Sequence, residues 1–149
     1  MKLSEHLDLS EIIRSDSAKR NGISNMPTPE HIENFKILAT KVFEPVREHF
    51  GVPIHISSGY RSVELNRLIK GSSSSEHCKG QAIDIDMDGT TITNKQVFDY
   101  IKDNLTFDQL INEFNYAWVH VSYKANGKQR GEILEAYKEG KATKYRLIK

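Results

Sequence analysis

The order of the predicted elements indicates an α+β fold, in which an antiparallel sheet packs against N-terminal helices and a crossover helix. Apolar residues recur at helical spacing through the first third of the chain, whereas residues 51–149 hold mostly short alternating segments with one or two helices between them. No internal repeat or linker divides the 149 residues. We therefore expect a single domain, 1–149, with a helical N-terminal part at 1–50 and a sheet at 51–149.

The N-terminal part is predicted to contain a short capped helix at 9–13, a loop at 20–23 and one long helix. Thr28 is a suitable N-cap for the long helix, and Pro29 suits its first position. Pro45 predicts a bend or restart, and Gly51 closes the helix. The apolar positions of this helix are Ile32, Phe35, Leu38, Val42, Phe43, Val46 and Phe50.

The second part is predicted to begin with a strand at 52–57 and a helix at 63–70 that Ser62 caps. Residues 81–87 alternate as a half-buried strand does, with Ile83 and Ile85 on one face and Asp84 on the other. A helix capped by Thr93 follows, and then a strand pair at 107–114 and 117–123. The tail, 132–148, alternates as a closing hairpin around residues 139–140.

Composition excludes several classes of protein. The formal net charge is +1, which provides no large positive field for nucleic acid. The longest apolar runs are far shorter than the roughly 20 residues of a membrane helix, so we expect no membrane span. The single cysteine, Cys78, excludes a disulfide framework and a cysteine-rich zinc module. A metal site would therefore use histidine and carboxylate ligands.

Three side chains are candidates for such a site. Asp84 and His120 each lie on a strand face opposite the apolar residues, and His77 lies in the loop before the Asp84 strand. Two imidazoles and one carboxylate suit a catalytic zinc, because they leave a coordination position for water. The spacing alone favours the plainer alternative, in which Asp84 and His120 are structural polar groups. The other histidines, His6, His31, His49 and His55, are interpreted as structural.

A wider set of motifs resembles a known family. The motifs are Ser57-Ser58-Gly59-Tyr60-Arg61-Ser62 followed by Leu65-Asn66, Ser75-x-His77-x-x-Gly80-x-Ala82-x-Asp84, Trp118-Val119-His120-Val121-Ser122, and an N-terminal part with Leu9-Ser10-Glu11 and Pro27-Thr28-Pro29-Glu30. In these motifs the chain resembles the small single-domain members of the zinc D-alanyl-D-alanine carboxypeptidase family of peptidoglycan peptidases. The resemblance implies a Hedgehog/DD-peptidase-like fold. It also favours a metal site over purely structural roles for Asp84 and His120.

The resemblance also implies a role for individual residues. His77, Asp84 and His120 match the three ligands of one zinc per chain. Arg61 matches the arginine that steadies the substrate and the developing oxyanion. The substrate-binding candidates beside Arg61 are Tyr60, Ser75 and Trp118, although a turn role for Ser75 and a packing role for Trp118 stay open.

The general base is the point at which the chain departs from many relatives. Several branches of the family carry an acidic residue three positions before the second histidine ligand, and this chain has Ala117 there. Small members similar to this chain carry a Gln-Leu-Ile-x-Glu string, which selects Glu113 as the base. Asp86, predicted on the same strand face as Asp84, is the reserve candidate.

The implied function is zinc-dependent hydrolysis of peptide bonds in peptidoglycan stem peptides, by a D-Ala-D-Ala carboxypeptidase or an endopeptidase. The alternative is a catalytically weak, zinc-bearing binding or structural module on the same fold, which Ala117 favours. We expect a monomer. The N-terminus shows no signal peptide, so we expect a cytoplasmic protein released at lysis if a phage encodes it, or a chain that begins after its signal.

Overall fold

A computed structural model of the chain describes residues 1–149, and its N-terminal part begins with a small sheet before any helix. Strands β1 (Lys2–Ser4) and β2 (Leu7–Asp8) pair antiparallel. Helix α1 (Leu9–Ile13) follows directly, as predicted, and Asp8 and Glu11 form its capping box. A further short helix, α2 (Asp16–Arg20), precedes the predicted loop. The N-terminal part predicted to be helical at 1–50 thus also contains the strand pair β1 and β2, which are too short to show a strand pattern.

The long helix is present in two parts joined by a wide turn. Helix α3 (Pro29–Leu38) starts at the Thr28 cap, and a π-helical turn (Ala39–Phe43) leads into α4 (Glu44–Phe50). Pro45 cannot donate a backbone hydrogen bond, and the irregular turn just before it accommodates that loss. Gly51 ends the helix at φ 65°.

The main sheet has six strands in the order β3-β4-β6-β5-β7-β8. Helix α5 (Val63–Leu68), a 3₁₀ turn (Glu76–Lys79) and helix α6 (Asn94–Asn104) lie between strands along the chain. The strands are β3 (Ile56–Ser58), β4 (Ala82–Ile85), β5 (Gln109–Glu113), β6 (Trp118–Ser122), β7 (Glu132–Glu139) and β8 (Ala142–Leu147). The α+β class is confirmed, and so are the β5–β6 pair and the terminal β7–β8 hairpin.

One strand pair contradicts the prediction of an antiparallel sheet. Strand β7 runs parallel to β5, with Glu113 opposite Ala136, so the sheet is mixed. The crossing segment, 123–131, carries the chain back to the end of the sheet at which β5 begins. Arg130 fixes this return, because its Nη2 donates to the fully buried Asp108 carboxylate at 2.8 Å. Two residues later, the backbone N–H of Glu132 donates to the Asp108 carbonyl oxygen at 3.0 Å.

The two faces of the sheet differ in character. One face contributes Ile83, Ile85, Val119, Val121 and Ile133 to a single core that also contains apolar residues of α3, α4 and α6. The alternate residues of the same strands, among them Asp84, His120 and Glu113, lie on the opposite face, which forms the floor of a cleft. No helix combines the length and the apolar character that crossing a membrane requires.

Candidate functional site

His77 is held by two hydrogen bonds, one made by its backbone and one by its ring. Ser75 caps the 3₁₀ turn by accepting from the His77 backbone N–H at 3.2 Å, and the ring Nδ1 lies 2.7 Å from the Gly59 carbonyl oxygen. A proton on Nδ1 satisfies that carbonyl and leaves Nε2 as the free lone pair. Gly59 is required at this place, since a Cβ there would lie 2.6 Å from the Ile12 carbonyl oxygen.

Asp84 and His120 face each other on neighbouring strands. They are directly paired in the β4–β6 register, and His120 Nδ1 lies 3.0 Å from Asp84 Oδ1. His77 Nε2 lies 3.3 Å from the same oxygen. The potential ligand atoms of His77, Asp84 and His120 all lie within 4.8 Å of one another. The structure therefore brings together the three residues that the sequence analysis proposed as a metal site.

The electrostatics of this triad suit metal binding. Burial would raise the pKa of Asp84, but the charges and hydrogen bonds of His77 and His120 outweigh it and hold that pKa far below its usual range. Burial lowers the pKa of His77, so its imidazole is neutral near pH 7. An ionised carboxylate and neutral imidazoles are the forms that bind zinc, and they leave a fourth position open. The donor set fits the metal.

A second His and Glu cluster, near the N-terminus, has a structural explanation. Glu5, His6 and Glu44 also place potential ligand atoms within 4.8 Å. The Glu44 carboxylate, however, accepts from the His6 backbone N–H at 2.8 Å and from the Ser4 hydroxyl, and it lies 2.7 Å from His6 Nδ1. These bonds tie the β1–β2 turn to helix α4, as expected for a structural histidine.

The triad opens into a cleft of about 990 Å³. Arg61, Ser75, Glu113 and Trp118 all line it. The β7–β8 hairpin supplies a further part of the lining, for which the sequence analysis assigned no role. The hairpin residues are Leu134, Lys138, Thr143 and Tyr145.

Arg61 lies beside the carboxylate of the triad. Its Nη2 is 3.7 Å from Asp84 Oδ2, and its Nε donates to Ser58 Oγ at 3.4 Å. The Arg61 backbone N–H donates to His77 O at 3.2 Å, which joins this loop to the 3₁₀ turn. The guanidinium is therefore held at the edge of the triad with donors still directed to the cleft.

Glu113 is a buried carboxylate without an ion pair, in contrast to Asp84. It ends β5, pairs with Trp118 in the register, and is 8% exposed. Burial raises its pKa to about 7; the charge of Asp84 adds to the rise, and those of His120 and Arg61 oppose it. The turn that follows has three consecutive residues at positive φ, namely Phe114, Asn115 and Tyr116. Such a strained turn fixes Glu113 and Trp118 side by side.

Two of the sequence candidates lie outside the cleft. The Tyr60 ring is buried against Phe35 and lies near His31, with its hydroxyl 3.3 Å from His31 Nδ1, so its position gives no support to substrate binding. Strand β4 ends at Ile85, and the carboxylate of Asp86 accepts from the Asn94 side chain at 3.1 Å. Asp86 is therefore not placed to serve as the base, because the predicted alternation stops one residue before it.

Comparison with known proteins adds one match. Residues 5–122 match a family model described as peptidase M15. The matched region contains the triad, Arg61 and Glu113, and it stops at the end of β6. A search of curated proteins finds no match.

Proposed function

Since the chain belongs to the peptidase M15 family of zinc metallopeptidases, we propose that it hydrolyses peptide bonds in peptidoglycan stem peptides. One observation carries the proposal: the triad of His77, Asp84 and His120 shares one cleft with a separate buried carboxylate whose pKa is about 7. Two carboxylates in different environments are the expected arrangement where one holds a metal and the other moves protons.

Glu113 acts as the general base. When bound by His77, Asp84 and His120, zinc supplies a Lewis acid that polarises the scissile carbonyl and acidifies water. Glu113 accepts a proton from the attacking water and then delivers it to the nitrogen of the leaving amine. A base whose pKa is about 7 is suited to both transfers near neutral pH.

Arg61 binds the substrate beside the triad. Its guanidinium donates hydrogen bonds to the substrate carbonyl oxygen, on which negative charge develops during attack. Ser75 and Trp118 form parts of the cleft wall against which the peptide lies. The ion pair with Asp84 and the hydrogen bond from Nε to Ser58 keep the guanidinium oriented.

The charge of the cleft supports an acidic peptide as the substrate. Lysine and arginine side chains outnumber carboxylates in the lining. Stem peptides carry carboxylates at their C-terminus and on a side chain, so their charge is complementary. The resemblance to D-alanyl-D-alanine carboxypeptidases leads us to propose cleavage next to D-alanine or within the stem, with one zinc per chain and a monomeric enzyme.

Mass spectrometry of purified muropeptides tests this function. We expect the zinc-loaded protein to release D-alanine or a shortened stem peptide, the chelated protein to release nothing, and added zinc to restore the activity. The mass of each product identifies the bond that is cut. Zinc-loaded protein that leaves every muropeptide intact would contradict the proposal.

The second candidate is a zinc-bearing binding or structural module. The observation that favours it is Ala117, at the place where several branches of the family carry an acidic residue. In that case the zinc-loaded protein binds muropeptides and cuts none of them, and Glu113→Gln leaves the binding unchanged.

A further inference from the structure

The β7–β8 hairpin brings Tyr145 into the same row of the sheet as Glu113. Trp118 pairs with Glu113, Glu113 with Ala136, and Ala136 with Tyr145. Side chains of directly paired residues point to the same face of a sheet, so this row lies on the cleft face. Two strand spacings, about 10 Å, separate the backbones of Glu113 and Tyr145. Only the methyl group of Ala136 lies between them.

The hairpin forms one wall of the cleft. Tyr145 lines the cleft with 56% of its surface exposed, although it is a large aromatic residue. Burial raises the pKa of Tyr145, and the charges of Glu113 and Asp84 add to this, which agrees with a hydroxyl directed to the cleft. Residues 123–149, which contain the hairpin, lie beyond the region that the family model matches.

Lys138 adds to the same wall a cation that has no carboxylate partner. It pairs with Thr143 in the register and donates to Thr143 Oγ1 at 3.0 Å, and its Nζ lies 5.3 Å from the centre of the Phe114 ring. It forms no ion pair, unlike Lys124 and Arg130 at the opposite end of the cleft, which contact Asp108. A cation that the protein leaves unpaired beside a peptide-binding cleft is available to a carboxylate of the ligand.

We propose that the β7–β8 hairpin is a specificity-determining subsite, in which Tyr145 hydrogen-bonds the peptide backbone and Lys138 pairs with a carboxylate of the peptide. This inference rests on the proposed function, because it names the wall that holds the substrate of that reaction. Lys138 lies four register rows from Leu134 along β7, and Leu134 is in the row of His120. That separation of about 13 Å places the selected carboxylate several residues from the triad.

The single tryptophan, Trp118, allows binding to be measured apart from catalysis. It lines the cleft in the row of Tyr145, so its fluorescence reports ligands there. The chain of residues 1–149 is titrated without metal, so that peptide is bound and not cut. The two probes are a stem peptide with a free side-chain carboxylate and the same peptide with that group amidated.

We expect the wild type to bind the carboxylate peptide more tightly than the amidated one. Lys138→Gln weakens binding of the carboxylate peptide about three- to fivefold and leaves the amidated peptide unchanged. Tyr145→Phe weakens both about fivefold, because it removes one hydrogen bond. In the zinc-loaded enzyme the same changes raise KM and leave kcat unchanged.

Matched controls lie on the opposite face of the hairpin. Tyr137 and Lys144 pair with each other on that face, and Tyr137 packs under the Arg146 guanidinium. Tyr137→Phe and Lys144→Gln are expected to bind both peptides as the wild type does. Equal affinity of wild type and Lys138→Gln for the carboxylate peptide would overturn the subsite, even if the enzyme cleaves muropeptides. Absence of cleavage by a wild type that shows this carboxylate preference would overturn the proposed function alone.

Discussion

Asp84 and Glu113 are two buried carboxylates in one cleft, with exposed fractions of 6% and 8%, yet their environments shift their pKa values in opposite directions. Asp84 touches two imidazoles and lies beside a guanidinium, so its charge is stabilised. Glu113 has no ion pair, so burial dominates and its pKa rises to about 7. Two similarly buried carboxylates are therefore suited to different roles, Asp84 to holding a metal and Glu113 to carrying a proton, and their partners make the difference.

The largest expected effect is on the metal side of the comparison. Asp84→Asn removes the only negative charge of the triad, so we expect the zinc content to fall from about one per chain to near zero. Elemental analysis of purified protein measures it. His6→Ala is the control, since it removes the histidine of the N-terminal Glu5, His6 and Glu44 cluster and is expected to leave the zinc content unchanged. Full zinc content in Asp84→Asn would remove Asp84 from the ligand set.

The next effect is on the proton carrier. Glu113→Gln keeps the size of the side chain and cannot accept a proton, so we expect kcat to fall about 10²- to 10⁴-fold while the zinc content is retained. Muropeptide cleavage and elemental analysis on the same preparation measure both. Asp86→Asn is the matched control, because the Asp86 carboxylate bonds Asn94 outside the cleft. If Glu113→Gln were fully active, the base would have to be another residue.

A smaller effect is expected at Arg61, whose charge bears on both carboxylates. Its Nη2 lies 3.7 Å from Asp84 Oδ2, and its charge lowers the pKa of Glu113. Arg61→Lys keeps the charge and loses the planar set of donors, so we expect kcat to fall about 10- to 100-fold with zinc retained. Arg67→Lys, at an exposed position on α5, is expected to have wild-type activity. Steady-state kinetics distinguish these outcomes, and an unaltered kcat in Arg61→Lys would argue against oxyanion contact.

The candidate site shows what a sequence can and cannot predict. Asp84 and His120 were identifiable because local alternation fixes the face of each strand, and their pairing needs only neighbouring strands. Asp86 was misplaced because strand β4 ends at Ile85, two residues before the end of the predicted strand at 81–87. Tyr60 stands next to Arg61 in the motif, but its ring turns into the core against Phe35.

The hairpin wall could not be predicted in the same way. The alternation of residues 132–148 predicted two strands and their turn, but it contains no information on which strand of the sheet lies beside them. Parallel pairing of β7 with β5 depends on the crossing segment and its bond from Arg130 to Asp108, which are distant in sequence from the site. The place of Tyr145 in the row of Glu113 follows only from that pairing.

The smallest expected effect is on the pH dependence of stability. The pKa of Glu113 is raised from 4.5 to about 7 in the folded chain, so between these values the folded state binds more protons than the unfolded state. Stability of the zinc-free wild type should therefore lose a contribution from Glu113 as pH rises from 4.5 to 7. After screening by solvent in the cleft this contribution is about 1–2 kcal/mol.

The difference between the wild type and Glu113→Gln isolates this contribution. His77 contributes with the opposite sign, since burial lowers its pKa, and it is present in both proteins. We expect Glu113→Gln to gain about 1–2 kcal/mol relative to the wild type between pH 5 and pH 8, by urea unfolding of the zinc-free chains. Glu139→Gln, at an exposed carboxylate of the hairpin, should show no such change. A pH-independent difference would mean that Glu113 has a stabilising partner, and the contrast with Asp84 would then be lost.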